Sequence, residues 1–348
     1  MNSHGFLVVM AGGSGTRFWP KSTSKKPKQL LSFGASKETL LQQTLNRFSK
    51  IVPTAQQMIV TTQSLSKAVA DQTHQVKVLA EPQGRNTAPC VYWAAREIIA
   101  RDPKGVMLVM PSDHYMAFPD RFTQTVNAAI EWASSHDDLV TLGVKPSRPE
   151  TGYGYLKVAK AGSEPCNKVE AFVEKPNLEK AEAFLKAGNY LWNGGMFIWR
   201  AEVILKAFDE YMPELKKTWD AHSGQVEKAY PLMTATSIDY GVMEKAKNVV
   251  TFTLDCGWDD LGSWTSLESL AEVLGAARDG NVVSAGDLLA VESRGNIVDT
   301  PGRMTAILGL NDLIVVEHEG AILIAPKSRA QDIRLIVEQV KKTRPDLA

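Results

Sequence analysis

The chain has 348 residues, of which 44% are hydrophobic and 22% charged, which gives room for one large globular domain and a smaller one. Its 39 basic residues balance its 39 acidic ones, so overall charge gives no support for a nucleic-acid partner or an anionic membrane. No stretch approaches the ~20 apolar residues of a membrane span. Because the three cysteines also lack disulfide or metal-ligand spacing, we expect a cytoplasmic protein.

The first half of the chain alternates strand and helix signals. Apolar strand-like runs occur at 6–10, 57–61, 76–80, 106–110 and 139–144. Helical periodicity separates some of them, at 41–48 and 122–133. Such repeats predict an α/β fold with a mainly parallel or mixed, Rossmann-like sheet whose ligands lie at the carboxyl ends of the strands.

The second half continues this pattern and then changes. Further strands are predicted at 153–158, 168–173, 195–199 and 249–254, and helices at 178–187, 201–210 and 238–246. After about residue 280, short β-type runs alternate with Gly, Asp or Asn, and a final helix carries Ile333, Ile336, Val337 and Val340 on one stripe. We therefore expect a large domain over 1–280 and a small β domain over 281–348.

Residues 11–30 form a glycine-rich, strongly basic loop directly after the first strand. Gly12, Gly13 and Gly15 let backbone N–H groups approach a polyphosphate closely. The cations of the loop, with no carboxylate between them, are Arg17, Lys21, Lys25, Lys26 and Lys28. The spacing fits neither a P-loop nor a dinucleotide fingerprint. The loop indicates a triphosphate site; the alternative is a glycine turn followed by a solvated basic segment.

The same stretch carries a family resemblance. Gly-Gly-Ser-Gly-Thr-Arg-Phe-Trp-Pro at 12–20, with Pro-Lys-Gln at 27–29, resembles the signature of the sugar-phosphate nucleotidylyltransferases and is most similar to the mannose-1-phosphate guanylyltransferases. The resemblance implies that Gly12, Gly13, Gly15 and Thr16 contact the nucleotide. It also implies that the C-terminal region forms a left-handed β-helix-like domain through which two copies pair as a homodimer.

Two aspartates follow strand-like runs and are candidate metal ligands. Asp113 stands in Met-Pro-Ser-Asp-His and Asp260 in Gly-Trp-Asp-Asp-Leu-Gly-Ser-Trp. Mg²⁺ is usually held by one or two carboxylates together with phosphate oxygens and water. An aspartate in a turn is often only a turn former, and Asp259 is a rival ligand. The resemblance selects Asp260, because the family ligand immediately precedes the Leu-Gly-Ser-Trp segment.

The segment 81–89 is a candidate for nucleotide recognition. Guanine presents an N1–H and a 2-amino group, and the carboxylate of Glu81 could accept from both. Asn86 and Thr87 could contact the base or the ribose. The segment resembles the family's nucleotide-recognition segment, while the structural alternative is a loop in which Asn86 or Thr87 caps a following helix.

Further candidates concern the second substrate. Lys175 could hold a phosphate and Glu174 a sugar hydroxyl, the alternative being a surface ion pair. The resemblance supports both roles. It also implies that Asn193 and Asp239 bind sugar hydroxyls and that Gly154 makes a backbone contact.

Together these residues predict transfer of GMP from GTP to α-D-mannose 1-phosphate, giving GDP-mannose and pyrophosphate by one in-line displacement. Mg²⁺ on Asp113 and Asp260, with Arg17, Lys28 and Lys175, would neutralise the two anions. The alternatives are the same chemistry on a heptose or fucose 1-phosphate, and a non-catalytic regulatory subunit. We expect no phosphomannose isomerase activity, which longer relatives carry in an additional domain.

Overall fold

The computed structural model describes residues 3–13, 15–33, 36–159 and 166–348, so Ser14 of the predicted signature lies outside the described residues. The chain forms two compact units. The first unit comprises Met1–Gly12, Leu45–Pro111 and Phe118–Trp258, and the second Gly13–Thr44, Ser112–Ala117 and Asp259–Ala348. The predicted division into domains at residue 280 stays a prediction.

The first unit is built on a nine-stranded sheet. The strands of the chain up to residue 259 are β1 Gly5–Met10, β2 Gln57–Thr62, β3 Lys77–Glu81, β4 Val106–Pro111, β5 Tyr115–Met116, β6 Leu139–Val144, β7 Tyr155–Val158, β8 Cys166–Val173, β9 Tyr190–Arg200, β10 Val249–Leu254 and β11 Trp258–Asp259. The sheet has the order β3-β2-β1-β4-β9-β6-β10-β8-β7. Strands β3, β2, β1 and β4 are mutually parallel, whereas β9 runs antiparallel to both β4 and β6. The predicted mixed α/β sheet is confirmed.

Strand β9 extends well beyond the predicted run at 195–199. This strand contains two consecutive glycines, Gly194 and Gly195. Glycines weaken the strand signal in a sequence because glycine loses much conformational freedom in a strand. Pairing with β7 and β6 fixes the first half of β9 as strand. The antiparallel insertion of β9 therefore depends on contacts distant in sequence.

Helices lie close to the positions predicted at 41–48, 122–133, 178–187 and 201–210, whereas those at 66–72, 213–221, 226–229 and 266–269 were not predicted. The helices are α1 Leu40–Phe48, α2 Ser66–Gln72, α3 Thr87–Arg101, α4 Pro119–Ser135, α5 Leu178–Ala187, α6 Ala201–Tyr211, α7 Pro213–Ala221, α8 Val226–Ala229, α9 Ser266–Ser269 and α10 Ile333–Thr343. Within the predicted helix at 238–246, Asp239–Met243 is a π-helical turn, a rare element that often occurs at functional sites. None of the helices in the described ranges combines the length and apolar character needed to cross a bilayer.

The second unit contains a five-stranded β coil. Its strands are β12 Ala277–Arg278, β13 Asn281–Val291, β14 Ile297–Leu308, β15 Leu313–His318 and β16 Ala321–Pro326. Strands β13, β14 and β15 are parallel, and Val282 pairs with Ile297, which in turn pairs with Ile314. Consecutive parallel strands joined by short turns are the arrangement of a β-helix, which agrees with the predicted β-helix-like domain.

One hydrophobic core joins this coil to the glycine-rich loop within the second unit. Phe18 of the loop packs against Phe33 and Trp264, with ring centroids 5.0 and 5.1 Å away. Ile297 and Ile333 belong to the same core. The aromatic residue next to Arg17 therefore anchors the loop that carries the predicted phosphate-binding residues.

Candidate active site

Gly15 allows the glycine-rich loop to pack on Lys28. Its φ of 52° lies in the left-handed region, and a Cβ there would come within 2.6 Å of both the Cβ and the backbone nitrogen of Lys28. Only glycine fits this approach without a shift of the loop. Gly13 is different, because a Cβ there would meet no described atom within 4 Å, and its carbonyl accepts a hydrogen bond from Gln29. The open surface at Gly13 is suited to a ligand.

Lys28 connects the two predicted metal-binding aspartates. Its buried ammonium lies 2.7 Å from Oδ2 of Asp113 and donates to the backbone oxygens of Asp260, at 2.5 Å, and Leu261, at 3.1 Å. An ammonium has three donors, so each is engaged. The structure thus brings Lys28, Asp113 and Asp260 together, although they are distant in sequence. The guanidinium of Arg17 is exposed and donates to the carbonyl of Gly262, in the same turn as Asp260.

Asp113 is held in its ionised form. Burial tends to raise the pKa of its carboxyl, but the charges of Lys28 and His114 and the hydrogen bond from Lys28 outweigh burial and lower that pKa. About a third of the side chain is exposed, so an oxygen ligand remains accessible. A carboxylate that stays ionised and accessible is suited to a hard divalent cation.

Asp259 and Asp260 have different surroundings. The buried carboxylate of Asp259 accepts from the backbone N–H of Leu261, at 2.8 Å, and from the hydroxyl of Ser269, at 3.1 Å. These bonds hold Leu261 at a φ of 47°, a costly conformation for this residue. The carboxylate of Asp260 lies against Gly262, where a Cβ would come within 3.2 Å of it. Asp259 therefore stabilises the turn, and Asp260 is the better candidate ligand.

The donor set of this cluster suits magnesium. In the parts of the chain that the structure describes, no three His, Cys, Asp or Glu side chains form a cage of their own for a metal ion. Two carboxylates supplemented by phosphate oxygens and water are the usual set for Mg²⁺. Asp113 and Asp260 fit such an ion when a phosphate substrate completes its shell.

Glu81 ends strand β3 in the first unit and is buried. One of its oxygens, Oε1, accepts a hydrogen bond from the hydroxyl of Tyr230, while Oε2 lies 3.3 Å from where Gly12 would carry a Cβ. Burial raises the pKa of the Glu81 carboxyl, and the hydrogen bond from Tyr230 partly offsets this increase. Tyr230 was not predicted from sequence, because a tyrosine 149 residues from Glu81 gives no local signal.

Asn86 and Thr87 begin helix α3. Of the two predicted caps, the structure shows Asn86, whose side-chain oxygen accepts from the backbone N–H of Thr87 at 2.8 Å. Its φ of 64° and ψ of −169° are conformations normally reserved for glycine, and such strain is frequent at ligand sites. The hydroxyl of Thr87 accepts from the backbone N–H of Ile238, next to Asp239. The predicted nucleotide segment is therefore connected directly to the predicted sugar segment within the first unit.

Asn193 lies at the centre of the predicted sugar-binding residues. Its amide donates to Oδ1 of Asp239 at 2.9 Å, and its carbonyl oxygen accepts from Thr141 at 3.0 Å. Its backbone N–H donates to the carbonyl of Gly154 at 2.8 Å. Thr141, in the middle of β6, was not predicted; the signal was a hydroxyl within an otherwise apolar run. These bonds fix the orientation of the Asn193 amide.

Glu174 and Lys175 complete this group. They form an ion pair at 2.6 Å, with Glu174 buried and 58% of the Lys175 side chain exposed. Burial lowers the pKa of Lys175, but the hydrogen bond to Glu174 and the negative charges of Glu174 and Asp239 raise it overall. A Cβ on Gly154 would lie 2.4 Å from Oε2 of Glu174, so glycine leaves the space that this carboxylate occupies.

Asp239 has a perturbed titration. Burial and the negative charge of Glu174 raise the pKa of its carboxyl to about 6, while the bond from Asn193 and the charge of Lys175 act in the opposite direction. Two carboxylates that act on each other through their charges, together with one exposed ammonium, suit a ligand with several hydroxyls and one phosphate.

Comparison with known proteins agrees with these features. Residues 7–275 match the family model described as Nucleotidyl transferase. Residues 286–340 match the model described as MannoseP isomerase/GMP-like beta-helix domain. The second match covers the second half of β13 and all of β14 and β15.

Similar full-length proteins carry more specific names. The chain is 36% identical to the mannose-1-phosphate guanylyltransferase of Escherichia coli K12, over 97% of this chain and 73% of that one. It is 34% identical to the alginate biosynthesis protein AlgA of Pseudomonas aeruginosa, over 96% and 71%. A crystal structure described as mannose-1-phosphate geranyltransferase from Thermus thermophilus superposes with a TM-score of 0.89 at 31% identity, over 97% and 99%. The chain therefore belongs to the nucleotidyl transferase family, among the mannose-1-phosphate guanylyltransferases.

Proposed function

We propose that this protein transfers GMP from GTP to α-D-mannose 1-phosphate, which yields GDP-mannose and pyrophosphate. The observation that carries the proposal is the contact of Lys28 with both Asp113 and the Asp260 turn. This cluster combines two carboxylates with the positive charge of Lys28, which lies on the loop of the family signature. Relatives named for alginate and xanthan biosynthesis support a role of the product in polysaccharide synthesis.

The reaction is one in-line displacement. A phosphate oxygen of mannose 1-phosphate forms a bond to the α-phosphorus of GTP, and the bond to the bridging oxygen of the leaving pyrophosphate breaks. A phosphate monoester has a second pKa of about 6, so the attacking group is largely ionised at neutral pH and needs no protein base. The remaining difficulty is repulsion between two anions, which positioned charges reduce.

The residues divide this work by substrate. Gly12, Gly13, Gly15 and Thr16 present backbone groups to the triphosphate, and the exposed Arg17 neutralises it. Lys28 orders the aspartate turn and supplies positive charge. Asp113 and Asp260 would hold Mg²⁺, which neutralises phosphate charge when bound.

The other substrate contacts belong to the first unit. The exposed ammonium of Lys175 binds the phosphate of mannose 1-phosphate, and the carboxylates of Glu174 and Asp239 accept from sugar hydroxyls. Asn193 donates to the sugar, and Gly154 contributes a backbone contact. Glu81 accepts from guanine, with Asn86 and Thr87 shaping the neighbouring backbone.

The proposal also covers the location and the assembly of the protein. The three free cysteines, Cys90, Cys166 and Cys256, suit a reducing cytoplasm. The C-terminal coil exposes apolar side chains on β13, β14 and β16, which favours a homodimer formed through the predicted domain at 281–348.

Coupled detection of pyrophosphate tests the activity. With MgCl₂ and GTP, we expect turnover with mannose 1-phosphate that exceeds turnover with fucose, heptose or glucose 1-phosphate. Preference for another sugar 1-phosphate would change the assigned substrate. Binding of GTP without turnover on any sugar phosphate would support a regulatory subunit instead.

Lys175→Ala tests the assignment of the sugar phosphate. Loss of the ammonium should raise the KM for mannose 1-phosphate by about tenfold or more, with a smaller change in the KM for GTP. Lys186→Ala, in α5, is a control for loss of a lysine elsewhere in the same unit. A larger effect on GTP than on the sugar phosphate would contradict the role of Lys175.

A further inference from the structure

Tyr230 is a fully buried residue to which the proposed mechanism assigns no role. Its hydroxyl donates to Oε1 of Glu81, and its ring packs against Trp93 with centroids 5.7 Å apart. A phenylalanine would provide the same ring packing. The hydroxyl is therefore what distinguishes this position, and its partner is the residue assigned to guanine.

The contact gives the two oxygens of Glu81 different surroundings. Oε1 is bonded to Tyr230, whereas Oε2 lies beside Gly12, just after the end of β1, where a side chain would approach it to 3.3 Å. The carboxylate thus cannot turn freely. A carboxylate only accepts hydrogen bonds, so the group presents fixed acceptors and no donor.

We infer that Tyr230 is a positioning residue for nucleotide selection, which orients the Glu81 carboxylate towards the N1–H and the 2-amino group of guanine. The inference rests on the proposed function. Hypoxanthine lacks the 2-amino group, so inosine triphosphate loses one of the two donors that the oriented carboxylate accepts. Discrimination between GTP and inosine triphosphate therefore reports on the orientation of Glu81.

Tyr230→Phe tests the inference with kcat/KM for GTP and for inosine triphosphate, both at saturating mannose 1-phosphate. Loss of a hydrogen bond to a charged group should lower the preference for GTP by about tenfold. The change should lie in the KM for GTP, while kcat and the KM for mannose 1-phosphate stay near wild type. Both nucleotides are measured on one preparation, so the ratio does not depend on the folded fraction.

Tyr92→Phe is the matched control. Tyr92 is a second buried tyrosine of the same core, and its ring packs against Phe208 and Trp219. Its variant loses a buried hydroxyl at a position assigned to no substrate. The preference for GTP over inosine triphosphate should therefore match that of the wild type.

Glu81→Gln provides a second, independent test. With Tyr230 donating to the amide oxygen, the amide NH₂ would face the guanine donors, and efficiency with GTP should fall sharply. In the double variant Glu81→Gln with Tyr230→Phe, the amide can turn its oxygen to guanine. The double variant should therefore use GTP better than Glu81→Gln alone.

Two results would overturn the inference. One is an unchanged nucleotide preference in Tyr230→Phe, and the other is a double variant no better than Glu81→Gln. Failure of the proposed function looks different, because the wild-type protein would then release no pyrophosphate from GTP and mannose 1-phosphate.

Discussion

Neighbouring aspartates in the second unit illustrate how two identical side chains differ in function. Asp259 accepts two hydrogen bonds that hold the turn, while the carboxylate of Asp260 lies beside Gly262. Because Asp260 is assigned to the metal, Asp260→Asn should reduce Mg²⁺-dependent turnover by about 10²-fold or more while the fold survives.

Asp259→Asn is the matched comparison. Loss of charge at a buried acceptor should lower the free energy of unfolding by about 1–3 kcal/mol, since the bonds to Leu261 and Ser269 weaken. Urea unfolding and pyrophosphate release measure the two quantities. Collapse of activity in Asp259→Asn at full stability, with an active Asp260→Asn, would reverse the assignment.

Asp239 makes stability depend on pH. Its native pKa is about 6, above its ordinary value of 3.8, so between these values the folded state binds more protons than the unfolded state. The contribution of Asp239 to the free energy of unfolding therefore falls as pH rises from about 4 to about 6. Asp239→Asn removes this dependence, and the difference in unfolding free energy between variant and wild type should grow in favour of the variant across that range.

Urea unfolding at a series of pH values measures this difference. Asp255→Asn, at an exposed aspartate, is the control for removal of a carboxylate elsewhere in the unit. A difference for Asp239→Asn that stays constant with pH would contradict the raised pKa.

At the level of single residues, the sequence predicted the site residues that lie within recognisable motifs. It did not predict the residues outside the motifs that form hydrogen bonds to them. Glu81 and Asn193 were recognised from their segments, but their partners Tyr230 and Thr141 are placed by tertiary packing. No local pattern distinguishes such residues from ordinary core residues.

The glycine-rich loop shows how an element can be recognised while its contacts remain hidden. Sequence placed five cations there without a carboxylate between them, which suggested that all five need an external anion. The structure gives two of them carboxylate partners within the protein, because Lys28 contacts Asp113 and Lys21 lies 2.8 Å from Asp299. These carboxylates come from other segments of the second unit.

The pair of Lys21 and Asp299 should be important for stability. Asp299 is fully buried in β14, and its Oδ1 has no hydrogen-bond partner among the described atoms. Lys21→Met leaves this carboxylate without its cation, which should cost about 3–5 kcal/mol of unfolding free energy. Urea unfolding measures the loss.

Two further variants distinguish the loss of the ion pair between Lys21 and Asp299 from the loss of any lysine in the loop and from changes in packing. Lys25→Met removes an exposed cation of the same loop and should change stability little. Lys21→Met combined with Asp299→Leu removes both charges and should recover most of the loss. A double variant as unstable as Lys21→Met would mean that packing, rather than the unpaired charge, is responsible.

On the scale of the whole molecule, the class of fold followed from alternating strand and helix patterns, but the strand order did not. Strand β9 separates β4 from β6 and runs antiparallel to both. Neither its neighbours nor its direction is encoded in the periodicity of residues 190–200, since pairing is decided by contacts across the sheet. The coil after residue 280 was recognised by its spacing, whereas its parallel pairing required the structure.

The exposed face of this coil leads to the last prediction, on assembly. Met304 and Leu308 are 70% and 73% exposed, and Leu308 pairs across β13 and β14 with Val291, which is also exposed. In a homodimer formed through this face, Leu308→Lys would bury one lysine ammonium from each copy in the interface. Burial of these charges and the repulsion between them are strongly unfavourable. The variant should sediment as a monomer at concentrations where the wild type is a dimer.

Leu232→Lys is the matched control, because Leu232 is 63% exposed but belongs to the first unit. Its mass should equal that of the wild type. Equal masses for all three proteins would exclude this face as the dimer interface. Since none of the proposed catalytic residues lies in β13 or β14, monomeric Leu308→Lys should keep its turnover per chain, and a loss of turnover would show that pairing supports the site as well as the assembly.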